Sequence, residues 1–210
     1  MLLSESKRFL FVHVQKTAGT SITGLLAPYA LTPPASRWNK IVSDLGLRRD
    51  WRRFHFRRHA PLARAERVLP ADLFGSLFKF AFVRNPWERL VSWYAYILED
   101  REHRRHRRVG HMADFAAFLQ GEAGKRRRSQ WWMLQDSMGR LGVDFVGRFE
   151  SLDHDIAQVC TRLGIEHQPL SRVKTSRHEP YQTFYTPALV DFVARHWARE
   201  IEAFGYRFDD

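Results

Sequence analysis

Apolar residues fall in short bursts along this chain, and two of the bursts are followed by the same succession of signals. In the first, Phe9, Leu10, Phe11, Val12 and Val14 form a nearly continuous apolar run, the pattern of a strand buried on both faces. The run stops at Gln15-Lys16-Thr17-Ala18-Gly19-Thr20-Ser21, which supplies one cation, three hydroxyls and a glycine. From about Thr20 the pattern turns helical, with Ile22, Leu25 and Leu26 at i, i+3 and i+4. A helix that starts in such a turn points its free N–H groups and partial positive charge into it, so the turn is expected to hold an anion. The Walker pattern G-x-x-x-x-G-K-[ST] is absent, because Lys16 precedes Gly19.

The second burst, residues 78–96 (FKFAFVRNPWERLVSWYAY), repeats the order of apolar strand, polar turn and amphipathic helix. Asn85 suits the N-cap and Pro86 the first helical turn. Arg84 leaves the strand end and Ser92 lies on the helix; a guanidinium with five donors and a hydroxyl suit a dianionic phosphate. An ion pair between Arg84 and Glu88 is the competing reading.

Between the bursts, residues 27–50 carry Pro28, Pro33 and Pro34 and read as a surface excursion with a short helical or coiled piece near 40–47. Residues 51–56 (WRRFHF) alternate loosely and are expected to form a short strand. Arg57, Arg58 and His59 then precede Pro61 and a helical run that Pro70 ends. Beyond the second burst, residues 143–149 read as a third strand, and Ser151 with Asp153 opens a helix that Gly164 stops after Leu163. A polar loop over 168–187 leads to a final helix from Pro187, with Phe192 and Trp197 expected in the core. No internal repeat is present, and strands alternating with helices indicate an α/β fold with a parallel sheet.

In order, HVQKTAGTS and FAFVRNPWERLVSWY resemble the two signatures of sulfotransferases that use 3'-phosphoadenosine 5'-phosphosulfate, specifically the branch of uronyl 2-O-sulfotransferases and their bacterial relatives. Weaker likeness in VDFVGRFESLDHDIAQV and FGYRF extends the resemblance over most of the chain. It implies an α/β fold with a P-loop-like parallel β-sheet flanked by helices, in one sulfotransferase domain spanning 1–210. It also implies that Lys16, Thr17, Ala18, Gly19, Thr20 and Ser21 hold the 5'-phosphosulfate, that Arg84 and Ser92 hold the 3'-phosphate, and that Lys174, Ser176 and Arg177 add contacts from the late loop.

Moving a sulfuryl group to an alcohol calls for a base, and histidine suits that role near neutrality. Ten histidines compete; in the resemblance, His59 ahead of its helix is the match and His55 the runner-up. Lys16 then acts in catalysis by stabilising charge on the leaving 5'-phosphate. The scheme is metal-independent, and its acceptor is a hydroxyl, expected on a carbohydrate such as an anionic glycan or a glycolipid.

Composition narrows the alternatives. A chain of 210 residues with 44% hydrophobic residues fits one core. The net charge of +11 predicts an electropositive surface that attracts anionic ligands. Two basic stretches, 101–111 and 125–128, flank a short predicted helix and precede Trp131 and Trp132. They are suited to nucleic acid, a membrane surface or an acidic glycan, or simply to a solvated basic face. A lone Cys160 excludes an intrachain disulfide and reads as buried filler. No run of 18 apolar residues marks a membrane span and no leader is evident, so a cytoplasmic protein is expected. A nucleotide kinase would require a carboxylate for Mg²⁺, and Glu88 is the sole acidic residue in the two loops. A nucleic-acid binder would rest on charge alone and show a steep salt dependence; no nucleic acid is expected as partner.

Overall fold

Burial on both faces of the apolar runs builds a four-stranded sheet in the order β1-β2-β3-β4. The strands are β1 (Leu2–Ser4), β2 (Phe9–Val12), β3 (Phe78–Val83) and β4 (Phe145–Arg148). The computed structural model describes residues 1–34, 36–47, 50–170 and 179–210. Strands β2, β3 and β4 run parallel, with Phe11 opposite Phe80 and Phe80 opposite Phe145. β1 adds an antiparallel edge, Leu3 opposite Leu10.

The helices among the described residues are α1 (Gly19–Leu26), α2 (Arg37–Asp44), α3 (Leu62–Val68), α4 (Ala71–Ser76), α5 (Pro86–Glu99), α6 (His106–Gly110), α7 (Phe115–Glu122), α8 (Gln130–Leu134), α9 (Leu152–Leu163), α10 (Pro187–His196) and α11 (Ala198–Phe204). The chain divides into two units, Met1–Val83 with Trp132–Ser171 and Arg84–Trp131 with Arg172–Asp210.

The first unit contains the sheet. Phe9, Phe11, Phe80 and Phe82 alternate onto one face and pack in a single cluster with Ile22 and Leu26 of α1 and Ile156, Val159, Cys160 and Leu163 of α9. Leu10, Val12, Ala81 and Val83 fall on the opposite face and are also fully buried, as the continuous apolar runs require. Cys160 is core filler. α9 stops as expected at Gly164, whose φ of +58° is left-handed. β2 and β3 are adjacent and parallel, so their carboxyl ends share one edge, where ligands bind in open α/β sheets.

The second unit is helical. α5 begins at Pro86 and is capped by Asn85, which accepts the N–H of Trp87 at 3.0 Å. The helix carries Arg89, Leu90, Val91 and Ser92 inward.

Three sequence expectations are corrected. Residues 51–56 form no strand: Trp51–Arg53 is a 3-10 turn capped by Asp50, which accepts the N–H of Arg52. The backbone groups that a sheet would have paired are taken by side chains of α2. Asn39 donates to the carbonyl of Arg53 at 2.9 Å, and Ser43 accepts the N–H of His55 at 3.0 Å. The final helix is two helices broken at Trp197, which is buried as expected, whereas Phe192 is half-buried against His196. The short strand β1 went unread, its three residues giving no periodicity of their own.

Candidate functional site

The turn after β2 is built from alternating backbone hands. Lys16 and Ala18 have φ of +67° and +57°, and Thr17 between them does not. Alternation of this kind gathers successive N–H groups into one concavity, an anion nest. Left-handed geometry is costly for residues with a Cβ, and such outliers concentrate where ligands are held. Thr17 is fully buried and its hydroxyl donates to the carbonyl of Val14 at 3.1 Å, which closes the turn. Ala18 is the N-cap of α1 but offers no side-chain acceptor to the helix N–H groups. Lys16 is half-buried, Gly19 and Ser21 are buried, and Thr20 is exposed.

Gly19 is required by close approach. A Cβ there would stand 2.0 Å from Nε2 of His13. His13 is 5% exposed, stacks on Phe11, and meets the ring of His59 edge-on at 4.6 Å between centroids. Its pKa is lowered to about 2, first by burial and then by its neighbours His59, the N-terminal ammonium of Met1 and Arg58, which favours the neutral ring near neutral pH. Nδ1 of His59 lies 3.0 Å from the carbonyl oxygen of His13. A carbonyl only accepts, so this bond places a proton on Nδ1. His59 is therefore joined to the turn through His13, with its Nδ1 side turned to the His13 carbonyl. His55 is held elsewhere, its backbone on Ser43 of α2 and its pKa lowered by burial.

In the second unit, Arg84 is 7% and Ser92 2% exposed. The Arg84 guanidinium makes two hydrogen bonds to Glu88, 2.7 and 3.1 Å, so the ion pair that competed with a phosphate role is present. The backbone of Arg84 is clasped by one side chain: Oε1 of Gln130 accepts its N–H at 2.9 Å and Nε2 donates to its carbonyl at 2.8 Å. Gln130 is anchored in turn by Glu200, which accepts its N–H at 2.5 Å and pairs with the buried Arg89 at 3.3 Å.

The basic stretches are partly structural. Glu122 is fully buried and forms ion pairs with Arg105, Lys125 and Arg128. Burial alone would raise its pKa, yet hydrogen bonds from Arg105 and Lys125 and the charge of Arg128 hold it below the ordinary range. Arg101, Arg104, Arg107, Arg108, Arg126 and Arg127 remain exposed.

Among the described residues no three His, Cys, Asp or Glu gather as a metal site, and no helix is long and apolar enough to cross a membrane. Lys174, Ser176 and Arg177 lie outside the described residues. Sequence reasoning missed His13, Gln130 and Glu200. His13 carried one usable signal, its position between the strand and the turn; the other two are joined to Arg84 only by long-range contacts.

A model of the sulfotransferase family matches residues 1–207. An uncharacterized protein of Archaeoglobus fulgidus is 26% identical over 121 residues, covering 52% of this chain and 87% of its own. No solved structure matches significantly.

Proposed function

The chain belongs to the sulfotransferase family, and from that premise we propose that it moves the sulfuryl group of 3'-phosphoadenosine 5'-phosphosulfate to an acceptor hydroxyl, with residues 1–210 acting as one catalytic domain. What supports the reading best is the join between base and turn: His59, its proton fixed on Nδ1 by the His13 carbonyl, stands beside the residue that packs against Gly19.

In the proposed reaction the acceptor oxygen bonds to sulfur while the bond from sulfur to the 5'-phosphate oxygen breaks, and the hydroxyl proton passes to Nε2 of His59. Backbone N–H groups of residues 16–21, that of Thr17 included, hold the phosphosulfate, and Lys16 offsets the charge that grows on the leaving 5'-phosphate. Positioning and electrostatics carry the step without a metal ion. Arg84 and Ser92 bind the 3'-phosphate, and Glu88 gives up Arg84 to it. A carbohydrate hydroxyl is the proposed acceptor and the cytoplasm the proposed compartment.

Calorimetry with adenosine 3',5'-bisphosphate and with adenosine 5'-monophosphate tests the nucleotide assignment. Arg84→Ala should weaken the bisphosphate by roughly 1.5–3 kcal/mol and leave the monophosphate nearly unchanged. Equal losses for both nucleotides would remove Arg84 from the 3'-phosphate.

A further inference from the structure

Helix α2 is amphipathic in the wrong sense for a helix that serves only the core. Its inward residues are polar: Asn39 is 3% exposed and donates to the carbonyls of Pro34 and Arg53, and Ser43 is fully buried and accepts from His55. Its outward residues are apolar. Trp38 is 70%, Ile41 49% and Leu45 67% exposed, and their i, i+3, i+7 spacing makes one stripe, which Leu47 at 68% continues past the helix end. Exposed Arg37 and Lys40 lie along its flank. Asp44, the acidic residue of the helix, is engaged by Arg57 through two hydrogen bonds of 2.7 Å. Over residues 36–58 the sequence has eight Lys or Arg against two Asp.

An exposed tryptophan-bearing stripe with cations beside it fits a surface that is apolar beneath and negatively charged at its rim. We propose that α2 is an interfacial anchor that seats the protein on an anionic lipid bilayer, with Trp38, Ile41, Leu45 and Leu47 at the acyl boundary and Arg37 and Lys40 among the headgroups. A second copy is the poorer occupant. A two-fold contact through this stripe would set the basic flank of one copy against that of the other, and the net charge of +11 adds to the repulsion. The bilayer instead complements both parts of the helix.

The anchor has a consequence for substrate class, which rests on the sulfuryl-transfer reading. Ser43 and Asp44 tie α2 to His55 and Arg57, in the segment that carries His59. A docked α2 thus tethers the segment that leads to the proposed base at the lipid surface, and the fitting acceptor is the sugar of a membrane-borne glycolipid.

Co-sedimentation of the full chain with vesicles tests the anchor without any transfer assay. Wild type should pellet with phosphatidylcholine vesicles containing phosphatidylglycerol, and hardly with phosphatidylcholine alone. The double variant Ile41→Glu/Leu45→Glu should partition at least roughly tenfold less, with an unchanged circular dichroism melt. Quenching of wild-type tryptophan emission by brominated acyl chains checks insertion without a substitution. The anchor is overturned if wild type stays in the supernatant at low salt, if the variant binds as well as wild type, if brominated chains leave the emission unchanged, or if the stripe instead drives a dimer that the variant abolishes in ultracentrifugation. Vesicle binding without sulfation of a glycolipid would leave the anchor standing and remove the substrate inference.

Discussion

His13 and His59 make different demands on their surroundings. His59 is half-buried, and its Nδ1 lies at hydrogen-bond distance from the His13 carbonyl, which orients the ring in the proposed role of base. A positioned base is typically worth about 10²–10⁴ in rate, so His59→Ala should lower kcat on that scale with bisphosphate affinity near wild type. His55→Ala is the control, and a larger loss there would move the base. His13 is predicted to govern acid stability. The folded protein keeps it unprotonated down to about pH 2, whereas the unfolded chain protonates it near 6.5. Between these values the unfolded state binds the extra proton, so stability is complete above about pH 6.5 and is lost as pH falls, by at most ~1.4 kcal/mol per pH unit. Urea midpoints measured at about pH 7 and pH 5 should fall less for His13→Asn than for wild type; parallel losses would show that His13 protonates freely in the fold. His59 was reached through the family resemblance, with His55 as runner-up, whereas His13 packs against Gly19 and His59, a contact that no local pattern displays.

At the scale of elements, β2 with α1 and β3 with α5 were legible because each rests on local signals: continuous apolar runs, Asn85 and Pro86 at a helix start, and the i, i+3, i+4 spacing of Ile22, Leu25 and Leu26. Residues 51–56 were not, since their fate is decided by Asn39 and Ser43 reaching in from α2. The clasp on Arg84 was equally hidden, because Gln130 and Glu200 lie 46 and 116 residues away along the chain. Glu200 is 1% exposed and balances the fully buried charge of Arg89, whose own pKa is lowered chiefly by burial. Glu200→Ala leaves that charge uncompensated and should cost about 3–5 kcal/mol in denaturant unfolding. A cost under about 1 kcal/mol would mean that Arg89 finds other support.

Over the whole molecule, the α/β class and the parallel core follow from the order of the apolar bursts, while the antiparallel edge β1 depends on pairing with β2 and is invisible in three residues. The charge of +11 has two destinations. Arg105, Lys125 and Arg128 neutralise the buried Glu122, and other cations of the same stretches stay at the surface. Charge alone therefore does not identify a partner, and the functional account rests on the family and on the turn that His59 adjoins. Its most direct test is incubation of the protein with 3'-phosphoadenosine 5'-phosphosulfate labelled in sulfur, a panel of hydroxyl acceptors that includes vesicle-borne glycolipids, and chelator. The account predicts label transferred to an acceptor, stoichiometric release of adenosine 3',5'-bisphosphate, and loss of both with Lys16→Ala. Labelled donor left intact by a protein that binds adenosine bisphosphate, or turnover that appears only with ATP and Mg²⁺, would contradict it.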